Sequence, residues 1–109
     1  MQLVQFHTMS PTLENAKLLG RSALRDGIAL STHIQPTTSI FLNDEGEPVE
    51  AEEFEVIITS KASKGMPAKA KELIFALGEY ENPPFWATQV MGTSNEYGRW
   101  ARDMPLLAG

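Results

Sequence analysis

The 109-residue sequence contains no cysteine and only two histidines. The lack of cysteine excludes a disulfide scaffold, a thiolate zinc site, an iron–sulfur cluster and a cysteine nucleophile. Basic side chains are scarce too, because 9 lysines and arginines stand against 14 aspartates and glutamates, for a formal net charge of −5. Proteins that bind nucleic acid or anionic membranes need a basic surface, so we predict neither as a partner.

Long apolar runs are also missing. No stretch approaches the roughly 18 apolar residues of a membrane-spanning helix. The first residues lack the basic and apolar segments of a secretory signal, so the expected location is the cytoplasm. With 42% hydrophobic and 21% charged residues, the composition is that of an ordinary globular protein. The length predicts a single domain over residues 1–109, in which residues from about 104 to 109 form a tail.

Hydrophobic patterning and turn residues predict four strands and three helices. The predicted strands cover 2–8, 28–42, 49–61 and 85–91, and the predicted helices run from Ser10 to Gly27, from Pro67 to Gly78 and from Ser94 to Arg102. Ser10 is the expected cap of the first helix, Pro11 its first residue and Gly27 its left-handed end. Pro36 predicts either a kink or bulge in the second strand or an edge position for it.

The order strand, helix, strand, strand, helix, strand is that of the α+β, ferredoxin-like βαββαβ arrangement, here followed by a short C-terminal helix. This arrangement is an antiparallel sheet with helices on one face. The long strands carry apolar residues on both faces, with Val56 and Ile58 on one and Ile57 on the other. Burial on both sides favours an oligomer.

Glutamates are concentrated in and after the predicted turn over 43–48. They are Glu45, Glu47, Glu50, Glu52, Glu53 and Glu55. Glu53 and Glu55 fall on one strand face and could offer oxygens to a hard cation. The alternative, which we favour, is a solvated hairpin whose charges discourage pairing between edges.

Few other residues indicate chemistry. His7 and His33 have no second ligand at metal-binding spacing, so they are weak metal candidates. No pattern combines a nucleophile with a base, and no phosphate loop occurs, which predicts a protein that is not an enzyme. Tyr80, Trp86 and Trp100 belong to an aromatic group in the last third, which lines a pocket or a subunit contact, or forms part of the core.

Several segments, taken in order, resemble the CutA divalent-cation-tolerance family. Ala29 to Pro36 is similar to the family's Ala-Ala-Cys-x-Asn-x-x-Pro, Tyr80-Glu81 to the end of its His-Pro-Tyr-Glu loop, and Tyr97-x-x-Trp100 to its final helix. The matching segments are 8–11, 29–36, 38–41, 55–61, 80–81 and 97–100. They extend over residues 3 to about 103. Ser31 stands where the family often has Cys, His33 replaces Asn, and Gly78-Glu79 replaces His-Pro, so the resemblance does not imply a soft-metal site built on that Cys or that His.

The resemblance implies a ferredoxin-like fold and a homotrimer whose sheets pack edge to edge around an axis. It also implies a likeness in shape to PII signalling proteins, which bind small ligands in clefts between subunits. The predicted site in such a cleft consists of Ser31, Glu55, Lys61, Tyr80, Glu81 and Trp100. Lys61 would bind an anion or carboxylate, the two glutamates would be acidic partners, and the two aromatic rings would be walls.

The resulting prediction is a homotrimeric, non-enzymatic binding or regulatory protein associated with divalent-cation tolerance. Its partners would be further copies of itself and a small ligand or a protein. An alternative is a PII-like small-molecule sensor, in which the hairpin at 43–48 is a reporter loop. A third hypothesis is direct metal binding: no cofactor is assigned, a divalent cation such as copper is the candidate, and we expect weak or no binding.

Overall fold

The computed structural model, which describes residues 2–106, is an antiparallel four-stranded sheet with its two long helices packed on one face. Its elements are β1 (Leu3–Ser10), α1 (Leu13–Arg25), β2 (Ser31–Leu42), β3 (Pro48–Lys61), α2 (Met66–Leu77), β4 (Trp86–Gln89) and α3 (Asn95–Asp103). The strand order is β2-β3-β1-β4, so β2 and β4 form the edges. The predicted α+β, ferredoxin-like order is confirmed. No helix in the described part of the chain is long and apolar enough to cross a membrane.

Alternation along the strands separates two faces of the sheet. Phe6 lies opposite Ile58 in the β1–β3 register, and both point towards α1 and α2, on the side that we call the helix face. The next residues along, His7 and Ile57, also lie opposite each other but belong to the other side, which we call the open face. Further members of the open face are Gln5, Met9, His33, Phe41, Glu53, Glu55 and Thr88.

The core fills the space between the helix face and the two long helices. Its fully buried members include Phe6, Leu19, Ile58 and Ile74. Burial of each such side chain contributes roughly 1.5–3 kcal/mol. Helix α1 approaches β2 closely at Gly20. A Cβ at this position would lie only 2.9 Å from Thr32 Oγ1.

The first helix begins two residues later than predicted. Ser10 is not its cap, since it ends β1 in a fully buried position and its hydroxyl donates to Asn15 Oδ1 at 2.7 Å. Thr12 is the cap instead, because its hydroxyl oxygen accepts a hydrogen bond from the Asn15 backbone N–H at 3.1 Å. The left-handed position of Gly27, at φ 72°, is confirmed. The Ser10 hydroxyl therefore bonds to the Asn15 side chain and does not cap the helix.

Two strands also differ from their predicted bounds. Strand β2 begins at Ser31 rather than at residue 28, and it continues through Pro36, which lies opposite Phe54 on the sheet edge. The edge interpretation of Pro36 is therefore confirmed. Strand β4 covers only Trp86–Gln89, and Phe85, just before it, stacks on Phe6 with ring centroids 5.8 Å apart.

The C-terminal helix lies over one end of the open face. Its cap is Ser94, the residue at which the helix was predicted to start, and Ala101 is fully buried in a small cluster with Leu3 and Leu30. Leu106, which the sequence assigned to the tail, packs against this cluster and against the main core. Residues 107–109 of the predicted tail lie outside the described residues.

Candidate functional site

The end of the open face away from α3 carries a groove of about 640 Å³. It lies between the outer part of the β2–β3 hairpin, the loop after α2 and the start of β4. Its lining residues are Met9, Ser39, Ile40, Phe41, Glu53, Tyr80, Glu81, Asn82, Pro84 and Trp86. We call it the Tyr80 groove. Two of the predicted site residues, Tyr80 and Glu81, line it.

Asn15 holds the loop that carries Tyr80. Its side-chain N–H group donates to the Leu77 carbonyl at 2.9 Å, and its Oδ1 accepts from the backbone N–H of Glu79 at 3.2 Å. The same Oδ1 accepts the hydroxyl of Ser10. Thr12 adds a hydrogen bond from its hydroxyl to Glu79 Oε1 at 2.5 Å. These bonds fix the chain after α2 against the start of α1 and thereby position Tyr80 on the groove.

A buried carboxylate forms part of the groove wall. Glu53 is only 7% exposed, and the Tyr80 hydroxyl donates to its Oε1 at 2.6 Å. Burial, this hydrogen bond and the negative charge of Glu53 raise the pKa of Tyr80 to about 12. Within residues 2–106 the ion pairs are His7–Glu55 and Arg102–Asp103, so no basic side chain neutralises Glu53.

His7 lies beside the groove with both ring nitrogens engaged. Its Nδ1 is 3.0 Å from Glu55 Oε2 and its Nε2 is 2.9 Å from Thr88 Oγ1. The imidazole also stacks on Trp86, with centroids 5.0 Å apart and planes 6° from parallel. These contacts orient Trp86 and occupy Glu55, which the sequence had proposed as an acidic partner in the ligand site.

The described chain does not fit a metal centre. His7 and His33 flank Ile57 on two different neighbouring strands, which separates them by about 10 Å at ordinary strand spacing. No group of three histidine, aspartate or glutamate side chains close enough to hold an ion occurs among residues 2–106. Protein zinc sites take three or four such donors, and residues 2–106 of one protomer do not bring that many together.

The remaining predicted residues lie at the covered end. Lys61 Nζ donates to the Arg102 carbonyl at 3.0 Å and to the Met104 carbonyl, which stabilises the C-terminus of α3. Trp100 packs against Tyr97, with ring centroids 5.5 Å apart. Ser31 lines a second cavity of about 370 Å³ next to Tyr97. Glu55 and Lys61 are six positions apart along β3, a distance of about 20 Å. The structure thus divides the predicted residues between two ends of one sheet face.

Most of the glutamates of the hairpin are solvent-exposed. Glu45, Glu47 and Glu50 lie in or next to a tight turn, and Glu52 accepts a hydrogen bond from Thr38 at 2.9 Å. This agrees with the solvated interpretation of the acidic run. Glu53 and Glu55 are the exceptions, because Tyr80 covers Glu53 and His7 pairs with Glu55.

The strand order and the two-sided sheet define the chain as a ferredoxin-like α+β domain whose open face carries a ligand-sized groove. The family model of the CutA1 divalent ion tolerance protein matches residues 4–104, and the chain belongs to this family. A comparison with curated proteins found no match.

Solved structures of CutA proteins are similar over nearly the whole chain. The periplasmic divalent cation tolerance protein CutA from Archaeoglobus fulgidus is 22% identical, with a TM-score of 0.83 over 93% of this chain and 96% of that chain. CutA from Xylella fastidiosa is 21% identical, with a TM-score of 0.82 over 94% and 96%. The divalent cation tolerance protein from Thermus thermophilus is 26% identical, with a TM-score of 0.80 over 93% and 95%.

Proposed function

We propose that this protein is a homotrimeric binding protein that takes part in divalent-cation tolerance and is not an enzyme. Membership of the CutA1 family supports the link to cation tolerance. The proposal of self-association rests on the outer part of the β2–β3 hairpin, where apolar side chains are exposed along an edge strand of the sheet.

Strand β2 is an edge strand of 12 residues, so half of its backbone groups face outwards without a partner in the same protomer. Ile40 is 70% exposed, Leu42 is 68% exposed, and Phe41 between them is about half exposed. The hairpin contributes to an elongated shape of 45 × 26 × 23 Å. A second copy placed along β2 would pair these backbone groups and bury these side chains, and a ring of three copies closes without leaving a free edge.

Residues 2–106 of one protomer hold no group of three ligating side chains that would support cation tolerance through a metal centre. We therefore propose that the contribution to tolerance depends on the assembled trimer and on binding of a ligand or partner, and not on a resident metal. The PII-like alternative needs a long reporter loop. The turn is instead short and closed, because Asn43 Oδ1 accepts the backbone N–H groups of Glu45 at 3.0 Å and of Glu47 at 2.9 Å.

Sedimentation equilibrium tests the assembly. Three copies of the 12.0 kDa chain give a particle of about 36 kDa. Replacement of both Ile40 and Leu42 by Lys should shift the protein to the monomer, because six buried charges would face each other in the ring. The matched control replaces Leu18 and Leu24, exposed leucines on α1, by Lys and should remain a trimer. A stable wild-type monomer would contradict the proposed function.

A further inference from the structure

We propose that a pocket between α3 and the segment after β4 binds a small organic phosphate, meaning a phosphate monoester on a compact carbon body. This inference rests on the proposed role as a binding protein and adds the chemical class of the ligand. The pocket lies at the end of the sheet opposite the β2–β3 hairpin and has a volume of about 440 Å³. This volume is within the range of about 300–1,000 Å³ that is usual for small-molecule sites. We call it the α3 pocket.

Two arginines give the α3 pocket its charge. Arg99 and Arg102 are three positions apart on α3, so they share one flank of the helix. No aspartate or glutamate is among the described residues that line the pocket. The uncharged polar side chains of the lining are Gln2, Thr93, Ser94 and Asn95. The Ser94 oxygen accepts the Tyr97 backbone N–H at 3.1 Å, which leaves its own O–H group to donate to a ligand.

Neither guanidinium group is neutralised by a close carboxylate. Arg99 forms no ion pair within residues 2–106. Arg102 has only Asp103, whose Oδ1 is 3.9 Å from its Nε, and these two side chains are 62% and 70% exposed. An exposed pair at this distance contributes little. Guanidinium groups bind phosphate oxygens through two parallel N–H bonds, and such bonds are roughly twice as strong as those between neutral groups.

The opposite wall of the α3 pocket suits a carbon body. Leu3, Val90 and Met91 supply apolar surface there, and Met91 is 98% exposed. A ligand that covers Met91 removes apolar area from water and gains affinity by doing so. The two walls approach each other closely at Gly98, because a Cβ at this position would lie 2.8 Å from Thr93 Oγ1. A phosphate held by the arginines would therefore leave the rest of its ester beside the apolar wall.

The proposed ring of three copies leaves the α3 pocket open. No residue of β2 lines the pocket, and none of the residues of β4 does. Ser31, the first residue of β2, lies opposite Thr59. Thr59 is in line with Gln5 and Thr88 on the next two strands, so β2 begins level with Thr88. A neighbouring β2 that pairs with β4 at this level runs towards Trp86 and away from the pocket.

Other ligand classes fit the α3 pocket less well. A cation would meet two guanidinium groups and no carboxylate of the described lining. A neutral sugar could use the hydroxyl and amide groups but not the charge. Inorganic phosphate would use the charge but not the apolar wall. Only an organic phosphate uses the arginines and the apolar wall together.

Nuclear magnetic resonance of the arginine side chains tests the site on the assembled protein. The chain has four arginines, so a spectrum of their Nε–H groups holds four signals. Ribose 5-phosphate is added at pH 7, where a phosphate monoester carries a charge of about −1.5 to −2. We expect saturable shifts of the signals of Arg99 and Arg102. The signals of Arg21 and Arg25, which are exposed on α1, should stay in place.

Calorimetric titration measures the affinities. Ribose 5-phosphate should bind at least about tenfold tighter than ribose and about threefold tighter than inorganic phosphate. The double variant Arg99→Gln with Arg102→Gln should lower the affinity for ribose 5-phosphate about tenfold. The matched control, Arg21→Gln with Arg25→Gln, removes the same charge from exposed positions of another helix and should change this affinity by less than about twofold. Exposed helix positions tolerate these changes, so both double variants should fold.

Equal affinities for ribose 5-phosphate and ribose would overturn the proposal. Equal losses in the two double variants, or the lack of saturable shifts at Arg99 and Arg102, would do the same. If inorganic phosphate bound as tightly as the ester, the assignment of an organic ligand would be wrong. Sedimentation of the same samples separates these failures from that of the proposed function. A trimer that does not bind the ester contradicts only the ligand class, whereas a monomer contradicts the proposed assembly.

Discussion

The two ends of the open face differ in what covers them. At one end α3 lies on the sheet, buries Leu3 and Ala101, and is held at its C-terminus by Lys61. At the other end none of the three helices of residues 2–106 covers the open face, and a loop carrying Tyr80 leaves a groove with a buried carboxylate. Within one protomer the predicted site residues lie apart, since Lys61 and Trp100 belong to the covered end whereas Tyr80 and Glu81 line the groove.

The largest expected effect comes from removing the support of the groove end. Asn15→Ala would remove the hydrogen-bond partner of the Leu77 carbonyl and of the Glu79 N–H, and would leave the Ser10 hydroxyl only the Thr12 carbonyl as acceptor. We expect a loss of about 2–4 kcal/mol in the free energy of unfolding, measured by urea denaturation. Asn95→Ala, at the exposed start of α3, is the matched control and should change it by less than about 0.5 kcal/mol.

An equal loss in the two asparagine variants would contradict the assignment of Asn15 as the anchor of the loop. Amide hydrogen exchange would sharpen the result, since protection should fall around residues 78–85 in the Asn15 variant and stay unchanged in α3.

Titration of Tyr80 gives the next effect. In a Tyr97→Phe variant Tyr80 is the only tyrosine, so the ultraviolet absorbance of tyrosinate reports it alone. Its midpoint should lie near 12, because the pKa of Tyr80 is raised to about 12 from the ordinary value of 10.0. Since the folded protein holds this proton more tightly than the unfolded chain, the stability that it contributes is complete below pH 10. That contribution is lost as the pH rises towards 12.

Glu53→Gln in the same background removes the charge that helps to raise this pKa, so the midpoint should fall towards 10. Circular dichroism at each pH restricts the comparison to folded protein. A midpoint that does not move would show that the contact with Glu53 is not formed in solution. The control is Glu55→Gln, whose carboxylate pairs with His7 and not with Tyr80.

A smaller effect is expected at the covered end. Lys61→Met removes the donor to the last carbonyls of α3 while keeping an apolar stem, and should cost about 1 kcal/mol. The loss should appear as faster hydrogen exchange in α3, with the groove end unaffected. Lys64→Met, an exposed change in the loop before α2, is the control. Unchanged protection of α3 would contradict the structural role of Lys61.

The fold was predictable because turns and helix ends depend on adjacent residues. The site was not, because its contacts join residues that are far apart in the sequence. The left-handed Gly27, the cap at Ser94 and the edge position implied by Pro36 are properties of a few adjacent residues, and sequence patterns report these. Ser10 was misassigned because a buried contact with Asn15, invisible in a local pattern, withdrew it from the helix start. Glu53 and Tyr80 are 27 residues apart, so no spacing rule brings them together.

Asn15 is the residue of the groove end that the sequence did not indicate at all. Its only local signal is an asparagine in the first turn of a helix, where capping contacts are common. The division of the predicted site has a similar cause, since alternation places Glu55 and Lys61 on the same face of β3 but does not reveal that α3 covers only one of them.

The smallest effect is expected from divalent metal ions, and it decides what the groove end is for. Calorimetric titration with Cu²⁺ or Zn²⁺ should show no tight, stoichiometric site, because Glu55 and Thr88 engage both nitrogens of His7 and no three-ligand group occurs among residues 2–106. Binding to His33, which is exposed and lies on the far side of β3, would be weak and lost in His33→Gln. A tight site that disappears in His7→Gln would contradict this expectation. Its ligands would then have to come from more than one protomer, which would make trimer formation a condition of metal binding.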